Sequence, residues 1–427
     1  MSRSDGTLVR FPRAATPPAP APSPPTPGRS ERDPRIDLFR GLALVMILID
    51  HMPGNPYEAG TIRNFGFSDA AEAFFVMSGI AAGLAYSGGF ARWTHGGGSL
   101  WRAVAPLWLR SWTLYLVQLF LTVFALAAFA WAAAAFGNAE FLQMHNTGLF
   151  HERTGEALTG LLTLTYQVGY VNILPTYIVL LLVAPVAFWA GLRHPWHVIA
   201  VSLVLWFFAG LERWNVPNWP GGGGWFFSPL TWQCIFVIGL MIGIRQRQGR
   251  PLVPYNFALM FVASAFVFFT LAWREIPELG AAMNERMWQL GQWGVPGNLV
   301  AHNKTYLGLP RLLHVLALVY VLSCLPWIRT LAATRGAAPL RLLGRQGLLV
   351  FAAGTVLALM GQIAMDLRPD EAWLPWALPP IALAISFALA WVKDQGRGIA
   401  SLAERRAGPA EPREPAPAPQ ARTGIAT

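Results

Sequence analysis

The chain has 427 residues, of which 54% are hydrophobic and only 13% charged. A soluble chain carries about a quarter charged residues, so lipid is the expected solvent for most of this one, and a disordered, collagenous or disulfide-stapled protein is excluded. The formal charge of +10 does not mark a nucleic-acid binder, because the basic residues lie mostly between apolar runs instead of along one face.

In chain order, residues 1–34 form a Pro- and Arg-rich segment too poor in large apolar side chains to build a core, with nine prolines before Asp37. It lacks the apolar run and small-residue cleavage site of a signal peptide, so the first apolar stretch is expected to stay as an anchor. Ten stretches then meet or approach the roughly 20 apolar residues that a crossing helix needs. They fall at 36–52, 70–86, 104–136, 171–190, 197–211, 226–244, 255–273, 309–327, 342–365 and 373–392. The third is longer than one crossing requires and the fifth is short. A second Pro-rich tail, 396–427, follows the membrane domain at 35–395. The pattern predicts an all-α polytopic membrane protein of about ten transmembrane helices between two disordered tails.

The basic residues test that count. With ten crossings, 22 Lys and Arg fall on the side of the tails, seven fall on the opposite side, and Arg40, Arg110 and Arg311 lie within spans. By the positive-inside rule both termini are then cytoplasmic, and the long loops 137–160 and 274–308 face outward. Cys234 and Cys324 both lie in apolar stretches, which is neither a disulfide framework nor a metal-ligand spacing, so no metal is predicted.

Charged groups at bilayer depth are costly, which makes each one a functional candidate. In the first span Arg40 and His51 are eleven positions apart. At 100° per residue this places them within about 20° of one helical face and about 16 Å apart along the axis, with Asp37 one turn below Arg40. A polar stripe thus joins the two aqueous sides. Asp50, 100° around from His51, is placed to orient a neighbouring polar group. The second span opens with Asp69 and Glu72, which reads equally as a capping box and as part of a site. Gly79 and Gly83, four apart, suit close helix packing. Arg311 and His314 lie one turn apart at the outer end of the eighth span. By depth, His51, Glu72, Arg311 and His314 form an outer cluster suited to proton transfer and to a polar acceptor. Arg40, Arg110 and Arg345 form an inner one suited to phosphates, which guanidinium groups hold by paired hydrogen bonds. For Arg110 and Arg345 ordinary positive-inside anchoring is the competing explanation. Most tryptophans mark span ends, but Trp288 and Trp293 lie in an outer loop beside Gln289, Gln292 and Asn298. That mixture suits a carbohydrate acceptor as well as it suits a helix lying on the membrane surface.

The stretches RIDLFRGLALVMILIDHMPGN and RNFGFSDAAEAFFVMSGIAAGLAY resemble the OpgC family, inner-membrane proteins associated with succinylation of osmoregulated periplasmic glucans, within the acyltransferase-3 superfamily of ten-helix membrane acyltransferases. The resemblance continues through YVNILPTYIVLLLVAP, WFFSPLTWQCIFVIGLMIG, PRLLHVLALVYVLS and PLRLLGRQGLLVFAAGTVLAL. It implies functional roles for the arginine and histidine of the first helix, here Arg40 and His51, and for the acid before Phe-Phe-Val-x-Ser-Gly, here Glu72. It further implies a bacterial inner-membrane location, an acyl-CoA donor reaching in from the cytoplasm and an acceptor approaching from the other side.

The expectation is therefore O-acyl transfer from acyl-CoA, with succinyl-CoA favoured, to hydroxyls of a periplasmic glucan. His51 acts as general base with Asp50 and Glu72 beside it; Arg40, Arg110 and Arg345 hold the donor phosphates; Arg311, His314, Trp288 and Trp293 hold the acceptor. A covalent acyl-histidine stays open, as do acetylation of another envelope polysaccharide and, from a different class, transport of an anionic solute.

Overall fold

The structure, a computed structural model, describes residues 33–406, and the regular elements among them are helices, with one isolated antiparallel bridge between Pro217 and Gly224. Helices are what an apolar solvent demands, since it offers the backbone N–H and C=O groups no partner outside their own segment. Helix α1 (Pro34–Asp50) leads through two 3-10 turns into α2 (Ala70–Thr94). A capping box starts α2: the Asp69 carboxylate accepts the Ala71 N–H at 2.8 Å and the Glu72 carboxylate accepts the Asp69 N–H at 2.9 Å. Helix α3 (Leu100–Phe136) begins on Ser99 and stops at Gly137, whose φ of 66° is left-handed. The following loop carries α4 (Gly148–Glu152) and α5 (Thr154–Leu162). Next come α6 (Ile173–Gly191), α7 (Pro195–Leu211), α8 (Pro229–Arg247) and α9 (Phe257–Glu275), then the loop helices α10 (Pro277–Gln292) and α11 (Gly297–Val300). The chain closes with α12 (Leu309–Cys324), α13 (Pro326–Ala333), α14 (Ala338–Arg345), α15 (Gly347–Leu367) and α16 (Leu374–Arg406). Pro195, Pro229, Pro277 and Pro326 each open a helix, where the missing N–H is harmless.

Each of the ten apolar stretches contains a helix, but they are not ten uniform rods. Among the described residues six helices are long and apolar enough to cross a membrane, namely α2, α3, α6, α9, α15 and α16. They become seven if α12 and α13, bent by 77° where Pro326 breaks the ladder, count as one span. Helices α1 and α7 have only 17 residues each. The stretch expected at 342–365 is also interrupted, at Gln346, where α14 gives way to α15. The last helix runs to Arg406, past position 396 where the second tail was expected to begin. Residues 1–32 and 407–427, which hold the rest of both expected tails, lie outside the described residues.

Two close helix crossings set the frame of the site. Helices α2 and α8 meet through Gly79 and Gly83 on one side and Gly239 and Gly243 on the other. A Cβ on any of the four would collide with a backbone carbonyl of the facing helix, so only glycine allows this approach. The α1–α14 crossing is built the same way, with Gly41 against Leu340 and Gly344 against Asp37. A third seam, between α1 and α15, is lined by Gly347, Gly354 and Gly361, which face the Arg40 stem, Leu48 and Met52 in turn. The spacing of seven keeps all three on one side of α15. Away from these seams large side chains such as Phe257, Phe261 and Phe268 on α9 and Val183 and Val186 on α6 are exposed, as a lipid-facing surface requires.

Candidate active site

At the N-terminal end of α2 the capping box is built into an ion-pair network. Arg311 on α12 donates from Nε to Glu72 Oε1 at 2.6 Å and from a terminal nitrogen to Asp69 Oδ2 at 3.0 Å. Lys304, from the loop before α12, reaches Asp69 Oδ2 at 2.6 Å while its ammonium stands 5.7 Å from the centroids of both the Phe226 and Phe227 rings. Glu72 is wholly buried. Both of its oxygens are engaged, one on Arg311 and one on the Asp69 N–H, so Glu72 caps α2 and pairs with α12 at once. Burial acts to raise the Asp69 carboxyl, but Lys304 and Arg311 outweigh it and hold the group below the usual carboxylate range.

His314, one turn along α12 from Arg311, is almost fully buried. Its Nδ1 receives the Ser68 N–H at 3.1 Å and lies 2.7 Å from the Ser68 hydroxyl. A backbone N–H only donates, so Nδ1 carries no proton, and in the neutral ring the proton is on Nε2. Among the described residues that Nε2 is buried without a partner, against Gly66, where a Cβ would strike the ring. Phe67 links His314 to an aromatic group, with its ring 4.3 Å from His302 and 5.0 Å from Trp273. Burial, together with Arg311 and Arg274, holds the His302 ring below its ordinary value.

His51 is the first residue beyond α1. It lines a narrow crevice in the α1–α15 seam together with Leu44, Ile47, Leu48, Val350, Phe351, Gly354 and Thr355, too tight to take a water molecule. The lower part of the same seam holds Arg40, whose stem crosses Gly347 so closely that a Cβ there would come within 3.2 Å of the arginine Cδ. The stripe expected from the spacing of Arg40 and His51 is therefore a seam against α15. Upward, His51 is within electrostatic reach of Lys304 and Asp69, which ties it to the Glu72–Arg311 network. Asp50 is turned elsewhere: it accepts the Thr61 hydroxyl at 2.8 Å and lies 3.9 Å from Arg63, bracing the loop that follows α1.

Three residues that the sequence did not single out complete the surroundings of His51. The Tyr170 ring meets it edge-on at 4.9 Å, and His145 meets Tyr170 edge-on at the same distance from its other side. Gln362 on α15 donates its amide to the His51 carbonyl at 2.5 Å and lies 2.6 Å from His145 Nε2 through its oxygen. Burial holds the His145 ring below, and the Tyr170 hydroxyl above, their ordinary values. Gln362 was legible in principle as a lone amide in an apolar stretch. His145 and Tyr170, in loops, carry no such signal.

The inner arginines are more dispersed. Arg345 pairs with Asp394 of α16 at 3.5 Å and is partly exposed. Arg110 on α3 makes no ion pair among the described residues and faces Tyr86 and Lys393 within electrostatic reach. Trp288 on α10 and Trp293 just beyond it are 65% and 78% exposed, apart from the network around His51.

Comparison with known proteins gives one match. No curated protein and no solved structure compared with the chain matches it. The sequence model of the family described as OpgC protein matches residues 32–397, which include every site residue named above. The chain, a helical membrane protein, belongs to the OpgC protein family.

Proposed function

We propose that this protein is a membrane O-acyltransferase that moves an acyl group, with succinyl favoured, from cytoplasmic acyl-CoA to hydroxyls of a periplasmic glucan. Family membership supports the class of reaction. The observation that carries the chemistry is the α1–α15 seam, which has a cation at one end, an imidazole at the other and glycines between them. In this reading the chain crosses the inner membrane ten times, with both termini in the cytoplasm. The two short helices α1 and α7, the less apolar α8 and the bent pair α12–α13 complete the count by being packed among longer neighbours.

Arg40, with Arg110 and the exposed flank of Arg345, holds the donor phosphates at the cytoplasmic end. The acyl arm lies along the seam, which α1 and α15 must part to admit, and the thioester comes to His51. The acceptor hydroxyl oxygen attacks the thioester carbonyl carbon while the His51 imidazole takes its proton. The C–S bond then breaks, and the leaving thiolate takes that proton back, so the ester and the free thiol form with no other reactant. Arg311, His314 and the aromatic group around His302 shape the acceptor end, and Trp288 and Trp293 offer outer aromatic faces to the glucan chain.

The test is thioester consumption by detergent-purified protein with succinyl-CoA and acetyl-CoA compared in the presence of a glucan oligosaccharide. Preferential succinyl transfer supports the reading, acetyl preference points to acetylation of another polysaccharide, and no consumption by folded protein favours anion transport.

A further inference from the structure

We propose that His145 is a second histidine of the acyl-transfer centre, a positioning residue that sets His51 through Gln362 and Tyr170. The inference rests on the acyltransferase reading of His51 and deepens it.

The polar link is short and fully assigned by elementary valence. A carbonyl oxygen only accepts, so the contact of 2.5 Å between Gln362 and the His51 carbonyl must come from the amide nitrogen. That leaves the Gln362 oxygen, 2.6 Å from His145 Nε2, to accept, and the ring nitrogen to donate. His145 is thereby fixed with its proton on Nε2 and a lone pair on Nδ1. Gln362 is 3% exposed, so losing either partner leaves a buried polar group unpaired. The His51 carbonyl is one of the groups that the end of α1 leaves without a helical acceptor role, and Gln362 is its partner across the seam. A rotation of the Gln362 amide would therefore disturb both histidines together.

The apolar link runs parallel to it. The Tyr170 ring stands between the two imidazoles, 4.9 Å from each, at interplanar angles of 71° to His51 and 87° to His145. Both loop residues reach these positions at backbone expense: φ is 54° at His145 and 64° at Tyr170, in the left-handed region that residues other than glycine rarely occupy. The two loops are laced together to hold them there. The Gly169 N–H donates to the His145 carbonyl at 2.8 Å, and the Tyr166 hydroxyl donates to the Asn146 carbonyl at 2.6 Å. Strain held by specific bonds around an imidazole is the mark of a positioned group. In the outward orientation proposed above, these are also the loops that an acceptor meets on its way to His51.

The experiment compares His145→Ala, His145→Gln, Gln362→Leu and the His145→Ala/Gln362→Leu double variant of the full-length protein in detergent, assayed for thiol release from succinyl-CoA with a glucan oligosaccharide. His145→Ala and Gln362→Leu should each lower kcat by roughly 10- to 100-fold, as misplacement of a reacting group does, with little change in KM for the thioester. The double variant should fall no further than the worse single one, because loss of His145 already removes the link that Gln362 carries. His145→Gln, whose amide nitrogen can stand where Nε2 stood, should recover most of kcat. Multiplicative losses, losses confined to KM, or no rescue by glutamine would overturn the proposal. A second readout needs no turnover: imidazole 15N signals of histidine-labelled protein, with His51 and His145 assigned by their loss in His51→Gln and His145→Gln. Gln362→Leu should shift both signals. A shift of His145 alone overturns the coupling. Shifts of both in a protein that consumes no thioester would instead overturn the acyltransferase reading and with it the catalytic meaning of the coupling.

Discussion

Arg311 and Glu72 meet as a buried ion pair, Nε to Oε1 at 2.6 Å, although they stand on different helices and the carboxylate has no exposed surface. The pair is usable because neither charge is left with only one partner: Asp69 takes the second arm of Arg311 and lends its N–H to Glu72. Removing Arg311 leaves the Glu72 carboxylate buried with no paired counter-charge, at a cost of about 3–5 kcal/mol, and removing Glu72 leaves Arg311 with Asp69 as its one carboxylate. Arg311→Ala and Glu72→Ala should each lower the midpoint of thermal unfolding in detergent sharply. Arg311→Met combined with Glu72→Gln should recover part of the loss. A midpoint unchanged by Arg311→Ala would show that the network does not brace α2 against α12.

The donor path is tested where a small change narrows it. At Gly354 a Cβ would come within 3.3 Å of Leu48, so Gly354→Val fills the seam beside His51. Overpacking of this kind costs about 1–3 kcal/mol of stability. The account expects a larger loss in kcat/KM for the thioester than that destabilisation alone would give to the folded fraction. Equal kcat/KM for wild type and variant would rule the seam out as the route of the acyl arm.

Acid should act around these networks in two stages. His145 and His302 are held below the ordinary histidine value of 6.5, first by burial. Below that pH the unfolded chain takes up protons that these folded rings refuse, so their contribution to stability is complete above it and is lost as pH falls. Asp69, held below its ordinary 3.8 by Lys304 and Arg311 despite burial, adds stability that is present above 3.8 and lost below it. Unfolding midpoints measured across pH should decline from about 6.5 and again below about 4. His302→Gln should soften the first decline and leave the second; a profile unchanged by that variant would exclude His302 as a contributor.

Trp293 is exposed and apart from the His51 network, so the acceptor binding proposed for it can be tested apart from chemistry. Trp293→Ala should leave the unfolding midpoint almost unchanged and kcat intact, while raising KM for a glucan oligosaccharide. An unaltered KM would assign α10 and its tryptophans to the membrane surface alone.

Apolar runs made the helices legible, because a segment that must satisfy its own backbone in lipid has few alternatives. The polar interruptions were read less well. Pro326 breaks the eighth stretch and Gln346 the ninth, and among the described residues only six helices are long and apolar enough to span on their own. Periodicity put Arg40 and His51 on one face and so found the seam, but it could not show that α15 is the facing helix or that its glycines are seven apart for that reason. The pairing of Asp69 with Glu72 was visible as local spacing, whereas Lys304 joins them from 235 positions away. His145 and Tyr170 were hidden because loop residues have no period, and their meeting depends on two unusual backbone conformations.

The central claim is that His51 performs acyl transfer. It is tested most directly by succinyl transfer from succinyl-CoA to a glucan oligosaccharide, wild type beside His51→Ala, with folding of both checked by thermal unfolding. The account predicts transfer by the wild type and a loss of roughly 100-fold or more in the variant, the share expected of a general base. Full transfer by folded His51→Ala protein would contradict it.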